Sequence, residues 1–135
     1  MAQDTSSFRA ALFDAVYDWI LENNYTPYVL ADTSYSTVSV PREYVQNDRI
    51  ILNVHPRSID GLINSEEGLN FMARFNGVSR PVVLPADSVL ALYARETNQG
   101  VAFHGNFMVT ELLQDLPPVP MQTPRPSRPE LKLVK

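Results

Sequence analysis

Cysteine is absent from all 135 residues, which removes disulfide staples and every thiolate-based chemistry. Glycine is scarce, at five residues, and forms neither a phosphate-cradling loop nor a Gly/Ser spacer. The only two histidines, His55 and His104, have no carboxylate or second histidine at metal-ligand spacing. No apolar run approaches a membrane span, and no basic-then-apolar leader follows Met1, so a chain without an export signal, located in the cytoplasm, is expected. Positive charge is also in short supply: residues 1–120 carry seven Arg against fourteen Asp and Glu, a net −7. Such an acidic body lacks the cations that dominate phosphate-backbone binding, so nucleic acid is not an expected partner. No nucleophile elbow or HExxH occurs, Ser58 near His55 has no orienting acid, and Glu66-Glu67 reads as a solvated turn. A protein without catalysis, metal or cofactor is expected.

Hydrophobic residues make up 44% of the chain, ordinary for a globular domain, and the length suits one core. Ser6 and Ser7 can cap a helix over residues 8–23, ended by Asn23-Asn24 and Thr26-Pro27. Phe8, Leu12, Ala15 or Val16, and Trp19 recur at helical spacing, and Phe13 and Ile20 widen the stripe. Such a stripe either caps the core or also serves self-association. Its breadth, with Ala11 and Ala15 permitting close helix approach, favours a homodimer through Phe8, Leu12, Ala15, Val16 and Trp19.

Beyond Pro27 the pattern turns to short β-type runs. Strands are expected over residues 28–31, 37–40 and 49–54, with a turn or single helical turn at 41–45. Residues 68–75 and 78–84 flank Asn76-Gly77, the strongest short hairpin signal available. A short helix is expected over 85–95 and a last strand over 100–103. Along the first hairpin strand Phe71, Ala73 and Phe75 share one face and Met72 and Arg74 the other. Ala73 between two Phe residues is either ordinary packing or the floor of a shallow groove.

Six of the eleven prolines lie between Pro117 and Pro129, a run that cannot bury enough apolar surface to offset its ordering entropy. Leu131, Leu133 and Val134 reappear beyond it, and residues 121–135 reverse the charge to net +3. From composition this is either a docking peptide on a tether or a fraying terminus. Three regions follow: a domain over 1–105, a Pro-rich flexible linker over 106–127 and a terminal motif over 128–135.

Several stretches together carry a resemblance: Tyr17-Asp18-Trp19-Ile20-Leu21-Glu22-Asn23-Asn24, Val38-Ser39-Val40-Pro41-Arg42-Glu43-Tyr44, and Ile51-Leu52-Asn53-Val54-His55-Pro56-Arg57. Phe71-Met72-Ala73-Arg74-Phe75-Asn76-Gly77, Val89-Leu90-Ala91-Leu92-Tyr93-Ala94-Arg95-Glu96 and the terminal Arg128-Pro129-Glu130-Leu131-Lys132-Leu133-Val134-Lys135 continue it in order. In these the chain resembles the stringent starvation protein B family, the specificity-enhancing adaptors of the ClpXP protease. It departs in a shorter tether with few acids and in Met72, where a polar residue is usual. The resemblance implies an α+β fold: an N-terminal dimerisation helix, then a small Sm-like, partly open β-barrel, with a disordered C-terminal tail. It implies binding of the ssrA tag in a groove on the barrel, here assigned to Asn53, His55, Phe71, Ala73, Phe75 and Phe103. It further implies docking on the N-terminal zinc-binding domain of ClpX through Arg128, Pro129, Leu131, Lys132, Leu133, Val134 and Lys135. The rival reading, an Sm-like or OB-like RNA-binding module, suits a similar barrel but not the acidic body.

Overall fold

The computed structural model describes residues 8–103 and 118–124. It shows an α+β chain: helix α1 (Phe8–Glu22) followed by antiparallel strands β1 (Pro27–Asp32), β2 (Arg49–Asn53), β3 (Ile59–Ser65), β4 (Gly68–Phe75), β5 (Val78–Pro85), β6 (Val89–Ala94), β7 (Gly100–Ala102) and β8 (Gln122–Thr123). The proposed caps Ser6 and Ser7 lie outside the described residues. At the other end, Asn24 takes a left-handed φ of 61°. The Asn24 N–H bonds the Leu21 carbonyl and the Tyr25 N–H bonds that of Ile20, each at 3.0 Å, a Schellman-type stop. Trp19 and Tyr25, 5.9 Å apart, supply the accompanying apolar contact.

The strands form two sheets, one in the order β2-β1-β6-β7 and one in the order β3-β4-β5 with β8 paired to β4. Among the described residues no strand ladder joins them, so the expected partly open barrel is a pair of unclosed sheets. Asn76-Gly77 forms the β4–β5 hairpin turn, with φ of 56° and 78° at the two positions. Its register runs unbroken from Phe75–Val78 to Gly68–Pro85. At the other end of β4, Gly68 has φ of 136°, and a Cβ there would sit 2.0 Å from the Leu84 carbonyl oxygen.

Two element expectations are corrected. Residues 37–40 are no strand: Ser39 alone bridges Val83, by reciprocal bonds of 2.9 Å. Thr33 and Val38 instead place their carbonyls on the Arg42 guanidinium, at 3.1 and 3.3 Å, which fixes the chain as a loop. The expected helix over 85–95 is only one 3₁₀ turn (Ala86–Ser88), followed by the central strand β6. Leu and Ala favour helices, but burial between β1 and β7 outweighs that weak preference. Strands β3 and β8 were not expected at all. Mixed polar composition hides β3, and flanking prolines on both sides hide β8.

Phe13 and Ile20 drive α1 into a core with Val29, Ile50, Leu52, Leu69, Phe71, Phe75, Leu84 and Leu92. A second cluster, Leu30, Ile51, Ala91 and Tyr93, lies on the opposite face of the β1–β6 sheet. Polar bonds fix the helix direction. Arg9 donates to Asn64 Oδ1 at 3.1 Å and to the Ser65 carbonyl at 2.5 Å, while Asn64 Nδ2 donates to the Ala10 carbonyl at 2.8 Å. Burial lowers the Arg9 pKa, partly offset by Asp14. The Tyr17 hydroxyl donates to the Val54 carbonyl at 2.7 Å, and its burial, with Asp18 nearby, pushes its pKa up to about 12. No helix among the described residues is long and apolar enough to cross a membrane.

Candidate peptide-binding seam

The two sheets meet edge to edge near Asn53 and Phe75. Strand β3 covers β4 from Gly68 to Ala73 and stops there, which leaves Arg74 and Phe75 without a β3 partner. Strand β2 is the outer strand of its own sheet, so part of its backbone also faces outward. These two exposed edges are a ready template for an extended chain.

A short stretch of the same chain lies on that template. Thr123 pairs with Arg74 and Gln122 with Phe75, continuing the edge where β3 ends. The Gln122 side chain then reaches the other sheet. Its Oε1 accepts from the Asn53 N–H at 2.8 Å and its Nε2 donates to the Asn53 carbonyl at 2.9 Å. The Gly77 N–H donates to Thr123 Oγ1 at 3.0 Å. Pro120 is buried, whereas Met121 is 80% exposed.

Beside the seam lies an open cleft of about 360 Å³, lined by Leu21, Tyr25, Asn53, His55, Arg57 and Arg95 among others, with Pro124 at its border. The turn at His55 is built by local bonds. Its N–H donates to Asn53 Oδ1 at 2.9 Å, and its Nδ1 accepts from the Arg57 N–H at 3.0 Å. Burial and then the Arg57 charge lower the His55 pKa, with Glu96 opposing them. An uncharged ring with Nδ1 as acceptor carries its proton on Nε2. Across the cleft Glu96 accepts from the Thr26 N–H and hydroxyl, each at 2.8 Å, and pairs with Arg95 at 3.0 Å. Backbone edges, a neutral imidazole and two exposed guanidiniums can hold an extended chain bearing acids or amides.

Of the residues assigned to a groove from sequence, the structure brings Asn53 and His55 to this seam, and Phe75 through its backbone alone, its side chain lying in the core. Ala73, only 1% exposed, and Phe71 lie farther along β4 and point into the core, so the strand face expected to floor an open groove is closed here. Phe103 stands elsewhere, half-buried with its ring stacked 6.3 Å from that of Phe13. Gln122, Thr123, Arg57 and Arg95 were missed. Nothing in local sequence distinguishes them, since only the tertiary fold brings residues 53, 75 and 122 together. The terminal motif over 128–135 lies outside the described residues. Among the described residues no cluster of acidic or histidine side chains could hold a metal ion.

Comparison with known proteins gives this geometry a family. The stringent starvation protein B description matches residues 7–134. The chain belongs to the stringent starvation protein B family. A stringent starvation protein B homolog of Haemophilus influenzae is 39% identical over 112 residues, covering 83% of this chain and 75% of the relative. Both stringent starvation protein B matches extend over most of the chain rather than one motif, and the family description takes in helix and sheets alike. Nothing in the name of the stringent starvation protein B family points to a catalyst.

Proposed function

We propose that the chain is a non-catalytic proteolysis adaptor. It binds ssrA-tagged polypeptides at the seam between the sheets and tethers them to the ClpX unfoldase for degradation by ClpXP. The observation that carries this reading is the β4 edge beyond the end of β3, which holds an extended segment through backbone pairing, with a side chain of that segment bonded to the Asn53 peptide groups. Main-chain pairing gives affinity to an extended peptide of varied sequence, and flanking side chains select among peptides. Arg57, Arg95 and the His55 ring offer that selection for acidic or amide side chains.

Delivery requires a second attachment. Residues 128–135 combine Leu131, Leu133 and Val134 with Arg128, Lys132 and Lys135, a short apolar and basic motif suited to the N-terminal zinc-binding domain of ClpX. Holding the substrate while docked on the enzyme makes transfer effectively intramolecular. A linker over residues 106–127, with its β8 stretch released from β4, would span roughly 26 Å as a flexible coil. The outer face of α1 supports a homodimer. Phe8 is 71% and Trp19 41% exposed, Ala11 and Ala15 lie between them, and Phe13 and Ile20 already hold the helix to the core.

Isothermal titration of the full-length protein with a synthetic ssrA-tag peptide tests the reading. Saturable one-to-one binding per chain, lost in a scrambled peptide, is expected. No binding at peptide concentrations up to about 100 µM overturns it.

A further inference from the structure

The segment over residues 118–124 fits no role in a passive linker. It contributes a buried proline, two ladder pairs with β4, a Thr123 bond to the Gly77 amide and a two-point side-chain bond to Asn53. The ladder pairs and the bonds to Gly77 and Asn53 occupy donors, acceptors and an edge that an incoming strand would need. Gln122 imitates a strand neighbour, because its carboxamide offers the same donor and acceptor pair as a peptide group. Yet the attachment is small. Two paired residues form the shortest of ladders, and Met121 stays largely exposed.

We propose that residues 118–124 are an internal ligand of the seam, an intramolecular competitor that an extended partner peptide displaces. The proposal rests on the adaptor reading above and adds a self-occupied state to it. Binding of an outside strand is then weakened by the fraction of molecules whose seam is filled from within. Displacement also changes reach. With the segment docked, the last attached residue is Pro124, close in sequence to the motif that starts at Arg128. Release lengthens the tether by at least the seven residues of this Pro-rich strand, about 22 Å if they extend at roughly 3.1 Å each. A substrate-loaded body therefore carries a longer arm than an empty one, so loading and reach toward the unfoldase are coupled.

Two full-length variants test this with the synthetic ssrA-tag peptide as probe. Gln122→Ala removes both Asn53 bonds and is expected to tighten peptide binding roughly 5- to 30-fold, the range two lost hydrogen bonds allow. The second variant carries Arg74→Cys together with Thr123→Cys, a cross-strand pair in a chain with no other cysteine. Oxidation should crosslink it and abolish peptide binding, and reduction should restore binding. Failure to crosslink, equal affinity of the oxidised and reduced forms, or unchanged or weaker binding by Gln122→Ala overturns the internal-ligand proposal while wild-type binding keeps the adaptor reading intact. Absence of binding by wild type and every variant overturns both.

Discussion

His55 illustrates how one residue can report on the seam. Its folded pKa lies below the ordinary 6.5 because burial and the Arg57 charge disfavour the imidazolium, and Glu96 only partly compensates. A group with a depressed folded pKa contributes stability at and above its unfolded value, and that contribution is lost as pH falls through the folded value. An NMR titration of the ring should therefore show a midpoint below 6.5, and protonation in that range should loosen the turn at Asn53. A midpoint at or above 6.5 would show that the ring is not desolvated. Gly68 makes a sharper steric demand. A methyl group at Gly68→Ala would collide with the Leu84 carbonyl at a φ that L-residues avoid, so the β3–β4 turn must shift. A loss of about 2–4 kcal/mol is expected by urea unfolding, and a change below about 0.5 kcal/mol would refute the tight approach.

At the scale of the element, α1 has two apolar faces with different tasks. Ala10, Phe13 and Ile20 are buried against the sheets, whereas Phe8, Ala11, Ala15 and Trp19 are exposed. Ala15→Glu places a charge in the middle of the outer face without touching the inner one. The monomer should lose less than about 0.5 kcal/mol, since an exposed helical site accepts Glu readily. Sedimentation equilibrium should show wild type as a dimer at roughly 50 µM and the variant as a monomer, given that a buried unpaired carboxylate disfavours association. Persistence of the variant dimer would move the interface away from α1.

At the scale of the molecule, the proposed function assigns binding and delivery to separate parts. Deleting residues 128–135 should leave the melting temperature and tag-peptide affinity unchanged, because none of the described core or seam contacts uses them. Stimulation of tagged-protein degradation by ClpXP should disappear, since the remaining body holds a substrate it cannot present. Equal stimulation by intact and truncated protein would remove the terminal motif from the mechanism.

Sequence by itself determined the features that depend on neighbours along the chain. The α1 stripe, the Asn76-Gly77 turn and strands β1, β2, β4 and β5 follow from residue spacing and turn chemistry. Family membership was also legible, in motifs distributed over most of the length. Tertiary structure alone decided that residues 89–94 form a central strand, because burial on both faces suppresses the alternation that marks a strand. It alone turned Phe71 and Ala73 inward, since a period of two fixes that they share a face but not which side the core lies on. The seam is the furthest from local reading. Asn53, Phe75 and Gln122 are separated by long stretches of chain, and their shared hydrogen bonds exist only once both sheets have formed.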